Sequence, residues 1–219
     1  MFKTSKLKND LSRMIATAAK KTINDYINGW VQQEPSITDR LIVNIQNILE
    51  KRNSGVIWKA MTLTDRGANS QEKNYGADLL GIVKIKIDNF EIEKGFLAQA
   101  KRIEPNNNIS QKEYDKLHLQ CDKMLNLSPA SFVFLYSKNN GIDVIPAIAI
   151  IGAKKCNPHQ LEGKKINRFF VEHFECFIGD RSMLQKRNNI LKNLCEENDA
   201  RSGIIIEINE PAENERDNI

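Results

Sequence analysis

Glycine and proline are scarce in this chain, at 11 and 6 of 219 residues, which excludes a collagen-like or a low-complexity disordered protein. No run approaches the roughly eighteen consecutive apolar residues of a helical membrane span. Residues 1–10 are basic and polar, with no apolar signal core behind them, so neither export nor anchoring is expected. Cysteine is confined to Cys121, Cys156, Cys176 and Cys195, without CxxC spacing, which argues against a disulfide framework and for a reducing, cytoplasmic compartment. There is no internal repeat, and no helix-turn-helix, zinc-finger or aromatic RNA-binding signature, so sequence-specific base reading has no evident module.

What is present is the composition of a folded protein, 41% hydrophobic and 27% charged, long enough for one domain with a sizeable core. That domain is expected over 1–208, with an acidic tail over 209–219. The formal charge is only +4, but basic residues gather at Lys3, Lys6, Lys8, Arg13, Lys20 and Lys21, and again at Lys154, Lys155, Lys164, Lys165 and Arg168. Such clusters either contact phosphates or form solvated helix faces.

Apolar residues at helical spacing predict a first helix over about 7–33, broken near Gly29. Pro35 interrupts the pattern, and Ser36 to Asp39 resembles a capping box opening a second helix with Ile37, Leu41, Ile42, Ile45, Ile48 and Leu49 inward. Alternation from Gly55 to about Leu63 predicts a strand, followed by a polar loop over 64–75. Two further strands are expected over 79–87 and up to about 103, turning at Asp88-Asn89, as a meander. Ser110 is suited to cap a helix through about Leu127 with Tyr114, Leu117, Cys121, Met124 and Leu125 inward. A buried strand follows over 131–136, then the Asn140-Gly141 turn and a strand over 142–150 that Pro146 restricts to an edge or a bend. Residues 168–177 read as strand or helix, 183–195 as helix and 203–208 as a last strand.

The chemistry sits at Asp78 and, about twenty residues on, at Gln99-Ala100-Lys101. A carboxylate opening one strand and a polar-x-Lys triplet on the next can place oxygen ligands and an ammonium on one side of a sheet. Together with Glu34 and the order helix, three strands, helix, strand, this pattern resembles the PD-(D/E)XK, or restriction-endonuclease-like, nuclease superfamily. The variant is the one with Gln-x-Lys in place of an acid, and Ala77 stands at the proline of the family's name. The resemblance spans about 34–137. It implies an α/β fold with an α-β-β-β-α-β core, with the 7–33 helix and a 142–208 extension as additions.

It further implies a metal site of Glu34, Asp78, Gln99 and the Ala100 carbonyl holding Mg2+ or Mn2+, with Lys101 orienting the attacking water. Glu50 and Glu72 are rival acids to Glu34. Gln120, Lys123 and Arg102 would contact nucleic acid. The implied activity is endonucleolytic hydrolysis of DNA phosphodiesters by a homodimer or larger assembly, with a targeting or regulatory protein partner, in restriction or antiviral defence. The alternatives are a non-catalytic nucleic-acid-binding or assembly subunit with a degenerate site, and an RNA-cleaving effector. A second constellation, Cys156-x2-His159 with His173-x2-Cys176, has zinc-compatible residue types, but the phenylalanines around His173 favour a core role over structural Zn2+.

Overall fold

The computed structural model of the chain describes residues 5–50, 56–62, 76–87, 90–184 and 202–209. The fold is α/β, a mixed sheet with helices on both faces. In chain order the elements are α1 (Ser5–Ile27), α2 (Glu34–Glu50), β1 (Val56–Thr62), β2 (Leu79–Ile87), β3 (Phe90–Arg102), α3 (Gln111–Leu127), β4 (Ser131–Ser137), β5 (Gly141–Pro146), α4 (Ala147–Gly152), β6 (Lys164–Lys165), α5 (Ile166–Phe174) and β7 (Ser202–Asn209). The sheet order is β1-β7-β2-β3-β4-β5-β6.

Side-chain alternation along the strands divides the core. Leu79, Val83, Phe96, Ala98, Phe134 and Tyr136 face α1, α2 and α5. Leu80, Ile82, Leu97, Val133 and Leu135 face α3 and α4. By the same period Gln99 and Lys101 share the Leu97 side, toward α3.

Three expectations change. Helix α1 stops at Ile27, because Gly29 takes a left-handed φ of 79° and turns the chain. Helix α2 opens at Glu34, so Pro35 initiates it; a first-turn residue has no helical acceptor for its N–H, and proline loses nothing there. The strand expected over 142–150 ends at Pro146 and continues as α4, since proline cannot extend the ladder.

The expected meander also changes: β7 is parallel to β2 and antiparallel to β1, so the C-terminal strand separates β1 from β2. Helix α3 has the Ser110 cap, with Glu113 completing a capping box, and residues 166–174 resolve as helix. The 64–75 loop, the Asp88-Asn89 turn, most of the 183–195 helix and the acidic tail lie outside the described residues.

The far end of β3 is pinned by a charged cluster. Asp143 on β5 accepts from Lys165 Nζ at 2.6 Å and faces His159 Nδ1 at 3.2 Å, while His159 Nε2 donates to the Ile103 carbonyl at 2.8 Å. Burial draws the His159 pKa down, but Asp143 and Ile103 outweigh it and hold it above the usual 6.5. Burial likewise pushes Asp143 up, and His159 and Lys165 bring it below its usual 3.8. The His159 contribution to stability is therefore complete below pH 6.5 and lost as pH rises through the raised value. Melting temperature is expected to decline as pH rises above that point, and His159→Gln should abolish this slope; an unchanged slope in the variant would show that other groups cause it.

Candidate functional site

Asp78 lies one residue before β2, and the antiparallel register Leu79↔Ala98 sets it beside Gln99 and Ala100. Its backbone is held on both sides: its N–H donates to Ala98 O at 2.9 Å, and its carbonyl accepts from Ser202 N at 2.9 Å. Two residues earlier, Gly76 has φ 78° and passes so close beneath α3 that a Cβ there would lie 2.5 Å from Gln120 O. Only glycine meets both demands. The approach to Asp78 is thus built by a glycine turn, a strand start and helix α3.

The Asp78 carboxylate is nearly buried, at 9% exposure, and Gln99 is at 2%. Asp78 Oδ2 accepts from Ala100 N at 2.9 Å and from Gln99 Nε2, which also donates to Ala100 O at 3.2 Å. One amide nitrogen therefore touches both the carboxylate and the carbonyl.

Glu34 arrives from the first turn of α2. Its Oε1 accepts from Arg102 N at 3.0 Å, and its Oε2 lies 3.8 Å from Lys101 Nζ. The Arg102 guanidinium donates to Gln32 O, which ties the α1–α2 connection to the same strand end. Lys101 also bears on Cys121 of α3; burial pushes that thiol up to about 12, and the Lys101 charge opposes the shift.

The structure thus brings together Glu34, Asp78, Gln99, Ala100 and Lys101 at one end of the β2–β3 hairpin. Gln120 adjoins through Gly76, and its Oε1 is buried without a hydrogen-bond partner among the described residues. Lys123 is half-buried one turn on, and Arg102 is exposed. Of the rival acids, Glu50 is exposed at the far end of α2 and accepts from Gln46, and Glu72 lies outside the described residues.

No family model, curated protein or solved structure matches the chain.

Four supporting residues carried no functional signal in the sequence. The Thr38 hydroxyl donates to Glu34 O at 3.0 Å, so the Tyr136 hydroxyl, 2.8 Å away, donates to Thr38. This chain locks the first turn of α2 to β4. Burial raises the Tyr136 pKa, the Thr38 bond opposes it, and the carboxylates of Asp78, Asp39 and Glu34 add to it. Asp39 accepts from Ser202 Oγ at 3.0 Å, so the start of β7 bridges Asp39 and Asp78. Thr38 and Asp39 read in the sequence as capping residues, and Tyr136 as a core strand residue.

The Cys156/His159 and His173/Cys176 halves do not assemble. Among the described residues no group of three or more His, Cys, Asp or Glu side chains is placed to hold a metal ion. Both nitrogens of His159 are engaged, and His173 lies 4.5 Å from Phe169 and 4.7 Å from Phe96 between ring centroids. Also among the described residues, no helix is long and apolar enough to cross a membrane.

Proposed function

We propose that the chain is a divalent-metal-dependent nuclease that hydrolyses DNA phosphodiester bonds, built on a restriction-endonuclease-like core. The observation that carries this reading is that the Asp78 carboxylate and the Ala100 carbonyl meet at the Gln99 amide, on the strand end where the Lys101 ammonium lies 3.8 Å from Glu34. The order α2, β1, the β2–β3 hairpin, the α3 crossover and the parallel β4 supports it; β7 between β1 and β2 is its departure.

The donor set fits a hard cation such as Mg2+ or Mn2+, which prefers oxygen and keeps several waters. Asp78, the Ala100 carbonyl and Glu34 supply oxygens, and the Gln99 amide turned end for end offers Oε1 where Nε2 now bridges two acceptors. When bound, such an ion polarises the phosphoryl oxygen and favours hydroxide over water. Lys101 acts as a compact positive charge that orients the attacking water and offsets charge developing on the phosphate. Glu34 holds that ammonium in place, and Arg102 and Lys123 would grip the backbone. Cutting both strands of a duplex requires two such sites, which a homodimer or larger assembly supplies; restriction or antiviral defence, with a targeting protein partner, is the context we assign.

Supercoiled plasmid incubated with protein and Mg2+ should be nicked, and EDTA should stop it. A parallel RNA substrate separates a ribonuclease from a deoxyribonuclease. Absence of metal-dependent cleavage of either would sink the enzyme reading.

The second reading, a non-catalytic nucleic-acid-binding or assembly subunit, is favoured by one feature: the Gln99 N–H already satisfies Asp78 without a metal. Gln99→Glu distinguishes the two. Adding a negative charge should tighten Mg2+ binding measured by calorimetry, whereas Gln99→Ala should weaken it; loss of Mg2+ affinity in Gln99→Glu alone would count against the assignment.

A further inference from the structure

The loop that follows β3 and the segment that follows α4 enclose a cavity of about 650 Å3, within the range of small-molecule sites, about 300–1,000 Å3. Buried polar groups hold both walls. Asn157, 8% exposed, donates through Nδ2 to the carbonyls of Glu104 at 2.8 Å, Pro105 at 3.2 Å and Asn107 at 2.8 Å, and its Oδ1 accepts from His159 N at 3.0 Å. On the other side, the Tyr114 hydroxyl of α3 lies 3.1 Å from the carbonyls of Ile150 and Ala153 and 3.2 Å from that of Lys154. The cavity is therefore preformed, which lowers the ordering cost of filling it.

The side chains that line it differ from those that hold it. Asn106, Asn107, Asn108 and Gln160 contribute exposed carboxamides that make no hydrogen bond to another described residue. Lys155 is exposed and has no ion-pair partner among the described residues. Pro105 and Ile109, half-buried, add apolar surface, and no lining residue is acidic. A carboxamide sets an N–H donor beside a carbonyl acceptor, the pairing by which Asn and Gln meet the edge of a nucleobase. The apolar wall suits the face of a base, and the lysine suits a phosphate. With no carboxylate in the lining, a phosphodiester meets no repulsion there.

The cavity also continues the candidate site. Pro105 follows Lys101 by four residues, so the two are at most about 14 Å apart, a span of no more than about four nucleotides at ~3.4 Å each. His159 fixes the stretch between them through its 2.8 Å bond to the Ile103 carbonyl. We propose that this cavity is a nucleobase-binding subsite. It takes a base swung out of the stack, from the same strand whose scissile phosphate lies at Lys101, with Asn106, Asn108 and Gln160 reading the base edge and Lys155 holding the adjoining phosphate. Its place on the strand rests on the nuclease reading; its capacity to bind a base does not.

The test is fluorescence anisotropy of the full chain at low salt in EDTA, so that nothing is cleaved, with labelled oligo(dA), oligo(dC), oligo(dT) and an abasic strand of the same length. At least one base-bearing strand should bind about tenfold or more tightly than the abasic one. The triple variant Asn106→Ala, Asn108→Ala, Gln160→Ala changes only exposed positions and should bring that strand to within about twofold of the abasic affinity. Lys155→Ala should weaken all four strands alike and flatten the salt dependence. Equal binding of the abasic strand overturns the proposal, as does discrimination that survives the triple variant or the absence of binding by every strand. Plasmid nicking with Mg2+, run in parallel, separates the two readings: discrimination without nicking sinks only the catalytic one, and nicking without discrimination sinks only the subsite.

Discussion

Asp78→Asn and Lys101→Ala are each expected to reduce metal-dependent plasmid nicking by about 10²- to 10³-fold, the usual loss when one preorganised electrostatic group is removed. Asparagine keeps the shape of Asp78, and its carbonyl oxygen can still accept from Ala100 N, now at 2.9 Å. What it loses is the charge. The variant should therefore fold like the parent while binding Mg2+ more weakly. Lys101→Ala removes an ammonium that is largely sheltered and 3.8 Å from Glu34, so it should spare metal binding more than Asp78→Asn does. Arg102→Ala, by comparison, should act through affinity and soften with added salt. Nicking at the parental rate in both Asp78→Asn and Lys101→Ala, by protein free of contaminating nuclease, would place the chemistry elsewhere.

The largest effect on stability is expected at Phe96, which is fully buried opposite Gly81 on the neighbouring strand. Its ring lies over that glycine: a Cβ at position 81 would stand 2.1 Å from Phe96 Cε1 and Cζ. The ring has nowhere to retreat, with Phe169 5.1 Å, Phe170 6.2 Å and His173 4.7 Å away between centroids. Phe96→Ala should cost about 3–5 kcal/mol, the range for emptying a large aromatic site. Gly81→Ala should cost about 1–3 kcal/mol by overpacking. The two must not add. With the ring gone, the methyl at position 81 fills part of the space it left, so the double variant should be more stable than the sum of the single losses implies. Urea denaturation of the four proteins measures this coupling; simple additivity would mean that the ring and the glycine do not share the space.

Local chemistry made much of the fold legible. Ser110 three residues before Glu113 announces the start of α3, and Asn140-Gly141 announces the β4–β5 turn, where Gly141 takes φ 80°. Both depend on residues within four positions of one another. Pro35 misled because proline either breaks a helix or opens one, and which it does depends on where the chain turns back at Gly29. Pro146 left a bend open, but not the helix that follows it.

In the site, Asp78, Gln99 and Lys101 were legible because a hairpin register brings them together across a short separation. Glu34 was legible only by resemblance, and its contact with Arg102 spans 68 positions.

The sequence by itself determined the α/β pattern, because strand and helix periods are written in the spacing of apolar residues. It also determined the residue types available at the hairpin end. The tertiary structure alone decided that β7 lies between β1 and β2, that Ser202 joins Asp39 to Asp78, that Tyr136 holds the first turn of α2 through Thr38, and that the buried Lys94 donates to the Ile178 carbonyl. Each is a contact between distant segments. Such contacts follow from how the layers pack, and no local period or turn signal encodes them.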